Sequence, residues 1–197
     1  MNFFKRLFSS KKTHDVNQPE NKINAVFSDE YFHKRYTEHD ITEDAVVVDG
    51  CLKMVEGYFV DNQLDRKVVI PINHPINLDQ VVNDGMGFQL YCNAFKLPDN
   101  QAVFFLAFAF SEFLINNYGF KLYKDSEPEF PLRSMTLKYN HNGAVLSLYP
   151  FEYALKVLKN ESTFENLLNR LSGQIKTMPK VKDDFNQLWG LSEKETK

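Results

Sequence analysis

The pair Asn142-Gly143 constrains the fold of this chain most strongly, because it stands between two runs in which apolar and polar residues alternate. Asn-Gly is typical of a type I′ turn, since both central residues of that turn adopt positive φ. A two-residue turn fixes the register of a β-hairpin, so His141 is expected to face Ala144. One face of the hairpin then carries four apolar residues, which we expect to pack against helices: Leu137, Tyr139, Leu146 and Leu148.

The stretch between Asp99 and Gly119 predicts a helix that begins at an aspartate N-cap and ends at a glycine. Its apolar side chains surround the axis, as is typical of a helix buried at the centre of a domain. The residues that form this pattern are Phe104, Phe105, Leu106, Phe108, Phe110, Phe113 and Leu114. We interpret Ser111 and Glu112 as the narrow exposed edge of the helix, because charged residues are seldom fully buried. The alternative is that Glu112 is a buried acid with a raised pKa.

Two amphipathic helices are predicted after the hairpin. Pro150 suits the first position of a helix, and Phe151, Leu155 and Leu158 line one face of that helix. The sequence Ser162-Thr-Phe-Glu165 is typical of a capping box, which predicts the start of a second helix. Apolar residues at helical spacing follow it: Phe164, Leu167, Leu168, Leu171 and Ile175.

The fold class predicted from these patterns is α+β, a buried central helix with a small antiparallel sheet packed against amphipathic helices. The sheet consists of the β-hairpin and a third strand at Phe120–Lys124. A length of 197 residues favours one domain, which we place at residues 27–178. Residues 1–26 are interpreted as a basic-aromatic N-terminal segment and linker, and residues 179–197 as an amphipathic C-terminal tail.

The first half of the domain gives weaker signals. Thr42 is expected to cap a helix, because two acidic residues follow it. Residues Leu78–Phe95 are expected to be helical, although Gly85 and Gly87 weaken the helix. This glycine pair favours a turn over a dinucleotide-binding fingerprint, because the third glycine is absent.

Charge and cysteine content narrow the class of protein. The net charge of −3 and the pI near 6.0 argue against a nucleic-acid partner, since phosphate contacts need clustered Lys and Arg. Two cysteines, Cys51 and Cys92, favour buried, reduced thiols in a cytoplasmic protein over a disulfide framework. We expect no secretory leader, because Lys5 and Arg6 interrupt the apolar residues near the N-terminus.

The sequence offers no recognisable catalytic set, so we expect no enzymatic activity, no cofactor and no metal. His33 and His39 are interpreted as surface histidines, because zinc ligands have tighter, characteristic spacings. Cys92 with His74 or His141 would make a thiol–imidazole pair, but no motif brings these residues together. A structural role is therefore expected for Cys92, His74 and His141.

The proline-rich loop between the third strand and the hairpin is the candidate contact surface for a partner. It carries three acids and an aromatic residue, and we predict that Asp125, Glu127, Glu129 and Phe130 bind a basic partner. Prolines lower the cost of ordering such a loop, and matched charges raise the association rate. The alternative is an ordinary solvated connection.

The N-terminal segment has three interpretations. Phe3, Phe4, Leu7 and Phe8 fall at helical spacing among residues of only positive charge. Such a segment is able to lie on an anionic membrane surface, which would make these four residues membrane contacts. The other two interpretations are an unstructured end and an end that docks on the body of the protein.

Residues Phe104–Ile175 resemble small bacterial domains of unknown function. The resemblance depends on a buried helix that ends in Tyr-Gly-Phe at 118–120 and a helix start at Tyr149-Pro150-Phe151. The stretch is also similar in size and style to immunity proteins of bacterial contact-dependent and type VI toxin systems. That similarity implies a non-enzymatic cytoplasmic protein that neutralises a cognate protein toxin by direct binding. The alternatives are a peripheral membrane-associated protein and an enzyme with an unrecognised site.

Overall fold

The structure, a computed structural model, describes residues 34–141 and 144–178. It confirms the α+β class, because helices pack against one small antiparallel sheet. The predicted N-terminal segment 1–26, His33, the Asn142-Gly143 turn itself and the C-terminal tail 179–197 lie outside the described residues.

The sheet has the strand order β1-β2-β3-β4, with every neighbouring pair antiparallel. Its strands are β1 (Tyr36–His39), β2 (Lys121–Asp125), β3 (Met135–His141) and β4 (Ala144–Leu148). The predicted register is confirmed, since Leu137 pairs with Leu148 and His141 with Ala144. Strand β1 has no counterpart in the sequence prediction. It adds a fourth strand to the edge of the sheet, where Tyr36 pairs with Asp125.

Helices make up the rest of the domain. The α-helices are α1 (Ala45–Asp61), α2 (Pro75–Asn83), α3 (Phe88–Ala94), α4 (Gln101–Tyr118), α5 (Pro150–Leu158) and α6 (Phe164–Thr177). Short 3₁₀ turns occur at Ile41–Asp44, Asp65–Lys67 and Pro131–Arg133. The main core is formed where α4 meets α1, α5, α6 and the inner face of the sheet.

Helix α4 is the buried central helix that the sequence predicts, with Leu106 and Phe110 fully inaccessible to solvent. It ends at Gly119, whose left-handed φ of 72° is readily adopted only by glycine. The predicted N-cap at Asp99 is wrong by one residue. Asn100 occupies that position, because the N–H of Gln101 already bonds to the carbonyl of Pro98 at 2.8 Å.

Two other predicted helix caps are also displaced. Asp40, and not Thr42, begins the turn that leads into α1, since its carboxylate accepts a hydrogen bond from the Thr42 N–H at 2.9 Å. Thr163, and not Ser162, caps α6. The Ser162 hydroxyl is engaged instead by the hydroxyl of Tyr153 at 2.5 Å.

The region Leu78–Phe95 is helical but broken into α2 and α3. Gly85 and Gly87 cause the break with φ values of 65° and 81°. The hydroxyl of Tyr58 fixes this turn, because it accepts a hydrogen bond from the Gly87 N–H at 2.9 Å and donates one to the carbonyl of Asp84.

Candidate functional site

An apolar cavity of about 630 Å³ lies between α4, α5 and the segment that joins β2 to β3. We call it the α4–α5 groove. Its apolar lining residues are Val103, Phe104, Phe108, Leu132, Met135, Phe151, Leu155 and Leu158. The volume is in the range of sites that bury small ligands or anchoring side chains of a partner.

The groove exists because α5 has two apolar faces. One face is buried in the core and contains Tyr153, Ala154 and Val157. The predicted stripe of Phe151, Leu155 and Leu158 is only partly buried, and it lines the groove. The sequence shows this apolar stripe but does not show whether it faces the core or the groove.

Three phenyl rings form a cluster inside the groove. The ring centroids of Phe104 and Phe108 are 4.6 Å apart, and Phe151 lies 5.7 Å from Phe108 and 6.2 Å from Phe104. Phe104 and Phe108 come from α4, which is apolar on nearly all sides. Phe108 is only 4% exposed and belongs to a second core cluster with Ile41, Val48 and Cys51, against which Phe104 and Phe151 pack. The three phenyl rings give the groove an aromatic wall.

The predicted acidic loop borders the groove. Two residues that line the groove, Asp125 and Pro131, stand at the two ends of the loop. Between them Glu127 and Glu129 are exposed, and Phe130 has 51% of its surface accessible. The other polar residues of the rim are Gln89, Asp99, Asn100, Lys124, Ser134 and Lys159. The structure thus places the acidic loop beside an apolar surface, a relationship that the sequence did not reveal.

Asp125 differs from the other three predicted residues because its side chain is only 4% exposed. Its carboxylate forms a two-point ion pair with Arg35, at 2.8 and 2.9 Å, and accepts the N–H of Glu127 at 2.9 Å. Burial alone would raise the pKa of Asp125, but hydrogen bonds from Arg35 and from the Glu127 N–H, together with nearby positive charge, hold it below its usual value. Asp125 therefore fixes the start of the loop.

Arg133 fixes the other end of the loop. Its guanidinium lies over the ring of Phe130, 5.3 Å from the centroid, and over the ring of Tyr149 at 5.0 Å. Its Nε donates to the carboxylate of Glu152 on α5 at 2.7 Å. The loop is thus held at both ends by arginines that sequence reasoning missed. The Arg35–Asp125 pair joins residues 90 positions apart and the Arg133–Glu152 pair residues 19 positions apart, so neither ion pair has a local signal.

His39, Cys51 and Cys92 are all buried in the structure. His39 is buried and its Nε2 lies 2.6 Å from the carboxylate of Asp44, so the prediction of a surface histidine is wrong. Cys51 and Cys92 are buried free thiols, as predicted. Burial raises the pKa of each thiol to about 12, which disfavours the reactive thiolate. Within the described residues, no group of three or more His, Cys, Asp or Glu has the geometry to hold a metal ion.

The interpretation of Ser111 and Glu112 as an exposed edge is wrong for Ser111, which is buried and donates to the carbonyl of Ala107 at 2.7 Å. Glu112 is partly buried, and its carboxylate accepts hydrogen bonds from Asn73 and, at 2.7 Å, from Asn116. Burial raises the pKa of Glu112, and the two amide hydrogen bonds oppose that shift. The residue does not line the groove.

Across residues 34–141 and 144–178, no helix combines the length and the apolar character of a membrane span. No protein-family model, no curated protein and no solved structure matches the chain. Inferences about function therefore depend on the groove, the loop and the chemistry of their residues.

Proposed function

We propose that the protein is a non-enzymatic binding protein whose α4–α5 groove and acidic loop together bind an apolar, basic segment of a protein partner. The observation that carries this proposal is the position of a clamped acidic loop on the rim of a phenylalanine-lined groove. Apolar anchors in a groove supply most of the affinity of such a site. Exposed carboxylates beside it raise the association rate and orient the partner.

The lining of the groove supports binding over catalysis. Its walls are phenyl, leucine, valine and methionine side chains. Its carboxylates are those of Asp99 and Asp125, and the carboxylate of Asp125 is already paired with Arg35. Two clamped ends reduce the entropy that the loop loses on binding, which favours a preformed contact surface.

The resemblance of Phe104–Ile175 to bacterial immunity proteins suggests the class of partner. The phenylalanine cluster and the acidic loop both lie within that stretch. We therefore propose that the partner is a cognate protein toxin, which the protein neutralises in the cytoplasm by direct binding. A basic segment of the toxin with aromatic or leucine anchors would match the site.

The test uses the tagged full chain, coexpressed with the toxin-like product of the neighbouring gene. The wild-type chain is expected to copurify with that product and to protect cells from it. Leu155→Glu, which places a charge in the groove, is expected to weaken binding by about tenfold or more, since burying an unpaired charge is costly. The double variant Glu127→Lys/Glu129→Lys is expected to slow association and to weaken its dependence on salt.

The matched control is Val145→Glu, which places the same charge on a valine that is 52% exposed, at the far end of the hairpin from Met135. It is expected to bind like the wild type. Circular dichroism spectra of all variants establish that they are folded. Failure to copurify, or equal binding by Leu155→Glu and Val145→Glu, would overturn the proposal.

A further inference from the structure

We infer that the α4–α5 groove is occupied, in the absence of a partner, by the chain's own N-terminal segment Phe3–Phe8. The segment would act as a built-in competitor that a partner must displace. The docking itself is independent of the proposed function, whereas its regulatory consequence rests on that function.

The first argument is the point at which the N-terminal region leaves the domain. Lys34 is the first residue that the structure describes, and the next residue, Arg35, is bonded to Asp125, which lines the groove. The Arg35 guanidinium pairs with Asp125 and donates to the carbonyl of Glu127 at 3.0 Å, and its own carbonyl accepts the N–H of Ser126 at 2.9 Å. Lys34 therefore lies near the rim of the groove.

The second argument is reach. There are 25 residues between Phe8 and Lys34, and a random coil of that length would have an end-to-end distance of about 28 Å, at roughly 5–6 Å times the square root of the residue number. The groove begins next to the point of exit, so the connecting chain is long enough without being extended.

The third argument is chemical complementarity. Phe3, Phe4, Leu7 and Phe8 are apolar anchors of the kind that the aromatic wall accommodates, and each phenyl ring buries a large apolar area. All the charged side chains before Asp15 are basic: Lys5, Arg6, Lys11 and Lys12. They match the exposed carboxylates of the acidic loop.

The C-terminal tail fits the groove less well. It also contains apolar residues, among them Phe185 and Trp189, but its charges are mixed: Lys180 and Lys182 are followed by Asp183 and Asp184, which directly precede Phe185. Those acids would stand beside an acidic rim, and like charges repel. The basic N-terminal segment is therefore the better occupant.

The test is photo-crosslinking of the full chain with p-benzoylphenylalanine in place of Phe8. Irradiation of a mixture of isotopically light and heavy chains, followed by mass spectrometry, distinguishes contacts within one chain from contacts between chains. We expect crosslinks within one chain to peptides of α4 and α5. Replacing Phe3, Phe4 and Leu7 by Ser keeps length and charge and is expected to reduce these crosslinks about tenfold. Leu155→Glu is expected to have the same effect from the groove side.

Three outcomes would overturn the inference. Crosslinks between light and heavy chains would make a second copy the occupant. Crosslinks to lipid in vesicles of phosphatidylglycerol, without any to α4 or α5, would assign the segment to a membrane surface. Crosslinks elsewhere in the domain, or none, would leave the groove without this occupant.

Measuring the affinity of the chain for its partner distinguishes this inference from the proposed function. A chain with all four anchors replaced by Ser is expected to bind the partner about tenfold more tightly, if the segment covers the groove in about nine molecules of ten. Unchanged affinity with no crosslinks would refute self-docking and leave the proposed function intact. Crosslinks within one chain, without capture of any partner, would support self-docking and refute the proposed function.

Discussion

The carboxylate of Asp79 accepts a hydrogen bond from the backbone N–H of Phe164 at 2.7 Å, across 85 positions of sequence. It also accepts the N–H of Glu165 at 2.9 Å. The first N–H groups of a helix have no partner within the helix, so Asp79 of α2 caps α6 from outside. This contact fixes the start of α6, whose Phe164 ring packs 4.8 Å from that of Phe110 in the core.

We predict that Asp79→Ala lowers the free energy of unfolding by about 1–2 kcal/mol, the usual cost of losing a helix cap. Asp79→Asn is expected to lower the free energy of unfolding by less than Asp79→Ala does, since the amide oxygen of asparagine still accepts a hydrogen bond. Urea denaturation followed by circular dichroism measures both variants. Equal stability of Asp79→Ala and the wild type would show that Thr163 alone is sufficient as the cap.

The features predicted correctly from the sequence are those encoded locally. The register of β3 and β4 follows from one dipeptide and the alternation around it, and the burial of α4 follows from its composition. Strand β1 is not predictable from local sequence, because it has only four residues and pairs with β2, which lies far along the chain and begins at Lys121. The cap of α6 was assigned to Ser162 because the sequence cannot show that Tyr153 engages that hydroxyl.

The candidate site was predictable only in part. Composition identified the acidic loop, since acids, prolines and Phe130 occur together. The groove was not predictable, because it requires knowing that Phe151 of α5 packs beside Phe108 of α4. The clamping of the loop by Arg35 depends on a contact across 90 positions, for which the sequence carries no local signal.

We predict that Asp125→Asn lowers the free energy of unfolding at pH 7 by about 1–3 kcal/mol, because it removes charged hydrogen bonds to Arg35. The pKa of Asp125 is below its usual value in the folded state. The contribution of the carboxylate is therefore complete above the unfolded pKa of about 3.9 and is lost as the pH falls through the folded pKa. The stability gap between wild type and variant should shrink below about pH 4.

Urea denaturation at pH 7 and at pH 3 measures that gap. Glu127→Gln is the control, since its exposed carboxylate is expected to affect stability at either pH by less than about 0.5 kcal/mol. A gap of the same size at both pH values would show that the ionised carboxylate is not the source of the stabilisation.

Gly85 and Gly173 are predicted to respond to alanine in opposite directions. At Gly85 φ is 65°, and an added Cβ would lie 2.8 Å from the Asn62 Oδ1 and from the Tyr58 Oη, so Gly85→Ala should destabilise by about 1–3 kcal/mol. Gly173 lies within α6 and has nothing within 4 Å of an added Cβ. Gly173→Ala should stabilise by about 0.5–1 kcal/mol. Thermal unfolding of both variants measures the two effects, and a stabilising Gly85→Ala would contradict the assignment of the turn.

Substitutions at Leu106 and Leu155 distinguish a residue of the core from a residue of the groove. Leu106 on α4 is fully buried, so Leu106→Ala is expected to cost about 2–5 kcal/mol through lost burial and the cavity left behind. Leu155 is partly exposed on the wall of the groove, and Leu155→Ala is expected to cost about 1 kcal/mol or less. Urea denaturation measures both losses.

The effects of these two substitutions on partner binding are expected to have the opposite order from their effects on stability. A partner in the groove is expected to cover the exposed part of Leu155, so its truncation should weaken partner binding by about 1–2 kcal/mol, whereas folded Leu106→Ala should bind with nearly unchanged affinity. Titration of the partner at a temperature where both variants are folded measures the affinities. If Leu155→Ala proved as destabilising as Leu106→Ala and had no separate effect on binding, Leu155 would belong to the core and the groove would not be a binding site.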